Sequence, residues 1–142
     1  MSQQIIPRLA PRMQEVGVPD RQRPQPTVLV VEDNGMVRTL TARALRESGY
    51  RVLEAADGLA ALEALAGAEK ITLVVTDIVM PRMDGYELVA RLMATPKPPA
   101  VLFMSGYGMA HRELPAPLLE KPFSPAVLQA KVQRLLDMRA QP

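Results

Sequence analysis

The stretch that most constrains this chain is Ile71–Asp77, a nearly unbroken apolar run rich in β-branched residues that ends on a carboxylate. A strand without polar–apolar alternation has both faces covered, the condition of a strand inside a parallel sheet. Such a sheet needs helices packed on both sides. The chain breaks at Met80-Pro81 and restarts at Asp84-Gly85-Tyr86-Glu87. Asp84 as cap and Glu87 three residues on have capping-box spacing, so a helix to about Met93 is expected. Asp77 is thereby placed at the carboxyl end of a buried strand, where open α/β sheets keep their ligands.

The same alternation runs through the rest of the chain. Thr27–Val31 and Arg51–Ala55 read as the first two strands, Ala100–Ser105 as the fourth and Leu118–Glu120 as a short fifth. Between them, Met36–Ser48 repeats apolar residues at helical spacing and stops at Gly49, and Leu59–Ala66 is an alanine-rich helix closed by Gly67. Ser124-Pro125 pairs a cap with a first-position proline, and Leu128, Val132, Leu135 and Leu136 mark one face of the last helix. From Gly106 to Pro117 two glycines and two prolines leave room for only a turn or two. The predicted fold is α/β: a doubly wound, five-stranded parallel sheet of flavodoxin-like order 2-1-3-4-5, its fourth helix shortened or missing.

Composition narrows the function classes. A chain of 142 residues that is 48% hydrophobic suits one domain with an added tail. Residues 1–26 hold five prolines and no sustained apolar period, which predicts a flexible extension before a domain over 27–142. The pI is near 9.2, yet Arg8, Arg12, Arg21 and Arg23 in that extension supply the whole excess of positive charge. Aromatic residues are only 4%, so a basic, stacking nucleic-acid surface is not expected. No cysteine excludes disulfides and thiolate chemistry. No apolar run approaches the roughly 20 residues of a membrane span, and a cytoplasmic location is the expectation.

In a parallel sheet every strand's carboxyl end lies on one edge. Glu32-Asp33 after the first strand and Asp77 after the third become neighbours if those strands are adjacent. Carboxylates about 4 Å apart repel by several kcal/mol even at an effective dielectric of about 20. A hard divalent cation removes that repulsion, and Mg²⁺ combines few carboxylates with a carbonyl, waters and phosphate oxygens. Lys121 offers a point charge to a phosphoryl oxygen and Ser105 a hydroxyl donor. Phosphoryl transfer needs mainly positioning and charge neutralisation, and an Asp carboxylate can act as nucleophile to give an acyl phosphate. An acid pair, a lone Asp, a hydroxyl and a lysine on four strand ends thus make a phospho-acceptor site.

Val28-Leu29-Val30-Val31-Glu32-Asp33-Asn34, Asp77–Gly85, Met104-Ser105-Gly106-Tyr107 and Glu120-Lys121-Pro122-Phe123 together resemble, in order, the motifs of two-component response-regulator receiver domains. The resemblance covers residues 27–142. It implies that Asp77 accepts phosphate from a histidine kinase or histidine phosphotransfer protein. It also implies Mg²⁺ (or Mn²⁺) bound by Glu32, Asp33, Asp77 and the Val79 backbone carbonyl, with Ser105 and Lys121 on the phosphoryl group. A cis bond at Lys121-Pro122 is implied too. A receiver catalyses only its own phosphorylation and slow dephosphorylation and is not otherwise an enzyme; it acts by switching contacts with a downstream protein, as a monomer or a phosphorylation-dependent dimer.

Two positions depart from the family pattern. An aromatic residue usually stands three before the lysine, where this chain has Leu118, and the Ser105–Lys121 segment is short. Tyr107 is a candidate substitute for the missing aromatic switch. His111, the single histidine, lies among glycines and prolines and reads as a loop residue. Two other functions compete: a receiver-like scaffold that works without phosphate, and an aspartyl-phosphate phosphatase of the haloacid dehalogenase type. The latter wants a second Asp two residues after the nucleophile, and here that position is Val79.

Overall fold

The computed structural model describes residues 25–106 and 115–140. Five strands alternate with four helices among them: β1 Thr27–Val31, α1 Gly35–Glu47, β2 Arg51–Ala55, α2 Gly58–Leu65, β3 Leu73–Asp77, α3 Gly85–Met93, β4 Ala100–Ser105, β5 Leu118–Glu120 and α4 Pro125–Ala140. All pairings are parallel, in the order β2-β1-β3-β4-β5, as the sequence predicts. The expected shortened or missing helix before β5 falls largely on residues 107–114, outside the described residues. Tyr107, His111 and residues 1–24 of the N-terminal extension lie outside them as well.

β1 shows why the fold has two hydrophobic layers. All five of its residues are buried. Val28 and Val30 join Ala42, Leu45, Leu128 and Val132 of α1 and α4 on one face of the sheet. Leu29 and Val31 join Ala61, Leu88, Val89 and Leu92 of α2 and α3 on the other. Alternate residues of one strand therefore feed opposite layers, the doubly covered arrangement that an uninterrupted apolar strand requires. Each fully buried Leu or Val contributes about 1.5–3 kcal/mol through surface removed from water.

Caps set the helix boundaries. The Asn34 side chain accepts from the Val37 N–H, so α1 begins at Gly35, one residue before the expected start. Asp57 accepts from the Ala60 N–H and starts α2 at Gly58. Asp84 caps α3 as predicted, accepting from the Glu87 N–H at 2.9 Å. The reciprocal half of the capping box does not form, because the Glu87 carboxylate instead accepts from Arg91 one turn on, at 2.9 Å. Ser124 caps the last helix through the Val127 N–H. The third strand starts at Leu73 rather than Ile71; Ile71 is buried as a lead-in.

The opposite edge of the sheet is tied by Glu69, whose carboxylate accepts from the Thr27 hydroxyl at 3.0 Å and from the Arg51 guanidinium. The Arg51 hydrogen bond is the main cause that holds Glu69 below the ordinary carboxylate value, against a smaller opposing effect of desolvation. A depressed folded-state value means the ionised form stabilises the fold above the unfolded-state pKa, and that help is lost as pH falls through the folded one. Glu69→Gln should therefore lower the melting temperature at pH 7 in low salt. Thermal melts across pH should show the gap to the unmodified protein closing below the ordinary carboxylate range.

Candidate functional site

Four segments converge at the carboxyl edge of the sheet, each held by the ladder of hydrogen bonds that builds the strands. The Glu32 N–H donates to the Ala55 carbonyl at 3.1 Å, which extends β1 by one residue. Asp77 lies opposite Met104 in register, and the next N–H, of Ile78, donates to the Met104 carbonyl at 3.2 Å. Lys121, just past β5, donates its N–H to the Ser105 carbonyl at 2.7 Å. The functional side chains therefore project from backbone whose position the sheet fixes, not from free loops.

Asp77 and Glu32 are both buried, while the adjacent Asp33 is exposed. Ligand oxygens of Glu32, Asp33 and Asp77 all lie within 4.8 Å of one another. Unit charges at that separation repel by about 3 kcal/mol per pair at an effective dielectric of about 20. Among the described residues one cation answers them: the Lys121 ammonium bonds Glu32 Oε1 at 2.7 Å and Asp77 Oδ2 at 3.1 Å. Burial pulls the Lys121 pKa down, but its hydrogen bonds to Glu32 and Asp77, with their charges, outweigh burial and hold it above the ordinary lysine value. The ammonium is thus charged, and three carboxylates still exceed it. The donor set is all oxygen, and the Asp33 carboxylate makes no hydrogen bond or ion pair among the described residues. These groups fit a hard divalent cation such as Mg²⁺.

The remaining contacts orient the carboxylates. Asp77 Oδ1 accepts from the Ile78 N–H at 2.8 Å. Glu32 Oε2 accepts from the Asn34 N–H at 3.1 Å, and the Glu32 carbonyl from the Arg38 guanidinium at 2.9 Å. Asn34 and Arg38 were not singled out by the sequence as site residues; a side chain able to cap, placed just before a helical repeat, was the available signal for Asn34. Ser105 is buried at the end of β4, and its hydroxyl donates to the Gly106 carbonyl at 3.0 Å rather than to a carboxylate. Val79 lies two residues beyond Asp77 with its side chain 66% exposed. Leu118 sits opposite Phe103 and packs on the layer formed with α2 and α3, where it offers the Ser105 hydroxyl no polar partner. The Lys121-Pro122 bond is cis, as the resemblance implies.

The loop from Asp77 to α3 returns onto the strand it leaves. The Gly85 N–H donates to the Ile78 carbonyl at 2.7 Å, and a Cβ on Gly85 would stand 2.3 Å from the Asp77 carbonyl oxygen. Only glycine permits that approach. Arg82 within the loop takes a positive φ of 68°, at a cost of about 1–2 kcal/mol for a side chain with a Cβ. Its guanidinium donates to Asp57 Oδ2 at 2.7 Å.

Gly85→Ala should destabilise the protein by about 3 kcal/mol in denaturant melts, because backbone must shift to admit the methyl group. Lys121→Met should lower stability in chelator by about 1–3 kcal/mol, by leaving two buried carboxylates without their cation. Added Mg²⁺ should then raise the melting temperature of this variant more than that of the unmodified protein, since the ion replaces the lost charge. Equal increments would contradict a shared electrostatic site.

Comparison with known proteins places this edge in a family. The response regulator receiver domain family matches residues 28–133. The sensor kinase CckA of Brucella abortus is 43% identical over 119 residues, which cover 78% of this chain and 12% of the kinase. The response regulator receiver protein CpdR of the same organism is 32% identical over 115 residues, covering 77% of this chain and 95% of that protein. The chain spans about half the length of a two-component response regulator of rice, 53% of it. The crystal structure of the receiver domain from the hybrid histidine kinase CckA superposes with a TM-score of 0.66 at 37% identity, covering 78% of this chain and 98% of that one. The chain belongs to the response regulator receiver domain family, the phosphorelay module of two-component signal transduction.

Proposed function

We propose that this receiver accepts a phosphoryl group on Asp77 from a phosphohistidine of a histidine kinase or phosphotransfer protein, and that the acyl phosphate switches contacts with a downstream protein. The observation that carries this reading is a buried carboxylate at the sheet edge, set between two further acids and one charged ammonium. An Asp77 carboxylate oxygen attacks phosphorus, the P–N bond breaks, and the donor imidazole leaves and takes up a proton. The Ile78 N–H keeps the carboxylate oriented during the attack. Lys121, already bonded to Asp77 Oδ2, transfers one of its donor contacts to a phosphoryl oxygen. The Ser105 hydroxyl turns from the Gly106 carbonyl to a second oxygen.

Glu32, Asp33, Asp77 and the Val79 carbonyl would hold Mg²⁺ (or Mn²⁺), whose charge neutralises phosphoryl oxygens as charge shifts in the transition state. The protein works as a signalling switch whose own chemistry is limited to gaining and losing one phosphoryl group. The phosphatase alternative lacks its acid: residue 79 is an exposed valine with no proton to give. A phosphate-independent scaffold has no need of three carboxylates held around one lysine.

Acetyl phosphate with Mg²⁺ should add one phosphoryl mass to the protein in intact-mass spectra. The adduct should be absent in Asp77→Asn and when the metal is chelated. An unlabelled native protein under those conditions would favour the scaffold, and fast turnover of a generic phosphomonoester would favour the phosphatase.

A further inference from the structure

The loop between Asp77 and α3 is fastened to the start of α2, and the fastening uses residues outside the acidic cluster. Met83 is buried, and its side chain lies against Gly58, where an added Cβ would stand 2.7 Å from the sulfur. Beside it, Arg82 reaches Asp57 Oδ2 at 2.7 Å while Asp57 Oδ1 caps α2 through the Ala60 N–H at 2.8 Å. One carboxylate thus serves both a helix start and the loop. Arg82 adopts a backbone conformation, φ 68°, that glycine would take without steric cost. An arginine kept there at the expense of backbone strain indicates that its side-chain contact has a use beyond the turn. The segment it braces carries Val79 three residues earlier.

We propose that Arg82, through its ion pair with Asp57, is a positioning residue that sets the β3–α3 loop so that the Val79 carbonyl faces the metal. The inference rests on the metal-dependent phosphoryl acceptance proposed above. The Met83 contact and the Gly85 N–H, bonded to the Ile78 carbonyl at 2.7 Å, locate the loop in depth. The Ile78 and Pro81 carbonyls are held by the Gly85 and Met83 N–H groups, and the ion pair sets the turn of the segment between them, where the Val79 carbonyl lies. An exposed ion pair of this kind can shift the affinity by about threefold to fivefold.

The test uses the full chain and reads the Mg²⁺ concentration giving half-maximal acetyl-phosphate labelling, alongside the melting temperature in chelator. Arg82→Gly removes both the strain and the ion pair; Asp57→Asn keeps a cap acceptor and removes the charge. Each should raise the Mg²⁺ midpoint about threefold to fivefold, the double variant should be no worse than either single one, and Arg82→Lys should restore most of the loss. A purely structural role would leave the midpoint in place while the melting temperature moved. A midpoint within twofold of the unmodified protein in Arg82→Gly, or a shift there that Asp57→Asn does not reproduce, overturns the positioning role alone. Absence of Mg²⁺-dependent labelling in the unmodified protein overturns the parent reading with it.

Discussion

The structure depends on confining more negative than positive charge at one edge of a rigid sheet. Glu32 and Asp77 leave β1 and β3, which are adjacent, and Lys121 follows β5 at the far side of β4. The lysine therefore reaches from the end of β5 past β4 to acids at the ends of β3 and β1. A flexible loop would relax this repulsion by moving the carboxylates apart. Here the Glu32 and Lys121 N–H groups are bonded to Ala55 and Ser105 and the N–H after Asp77 to Met104, so relaxation would break the ladder itself. The repulsion persists in the folded state because the hydrophobic layers on both faces outweigh it.

How much of this was legible in the sequence follows from which rules act locally. Strand order and the convergence of Glu32, Asp33 and Asp77 came from unbroken apolar runs and the geometry of parallel crossovers, both visible in the chain. The different fates of Glu32 and Asp33 were not. Neighbouring side chains on extended backbone face opposite ways, and only the actual twist decides that Glu32 goes inward to Lys121 while Asp33 stays open. Glu87 is a similar case. Its spacing from Asp84 fits a capping box, but Arg91 competes for the carboxylate with a full charge and wins.

Close backbone approach was likewise hidden. Asp84-Gly85 reads as a cap followed by a helix start, yet the glycine is required because the Asp77 carbonyl lies against it. Nothing in the residue types announces that the helix start at Gly85 will press on the strand end at Asp77. Arg82 with Asp57 belongs to the same class: residues 25 apart whose pairing arises only because α2 and α3 lie on one face of the sheet. Sequence patterns locate elements; contacts between elements that share a layer depend on how their loops turn.

Leu118 bears on how a charge change at this edge could spread. An aliphatic side chain there has no polar group with which to follow the Ser105 hydroxyl. The backbone offers another route under the proposed role. Ser105 carries the hydroxyl that would turn toward a phosphoryl oxygen, and its carbonyl already accepts from the Lys121 N–H at 2.7 Å. Lys121 would move its ammonium in the same event. Two responding side chains are thus joined through one backbone hydrogen bond between the ends of β4 and β5. β5 is only three residues long, the shortest strand of the sheet among the described residues. The β4–β5 edge is therefore the part of the sheet with least pairing to resist such a change.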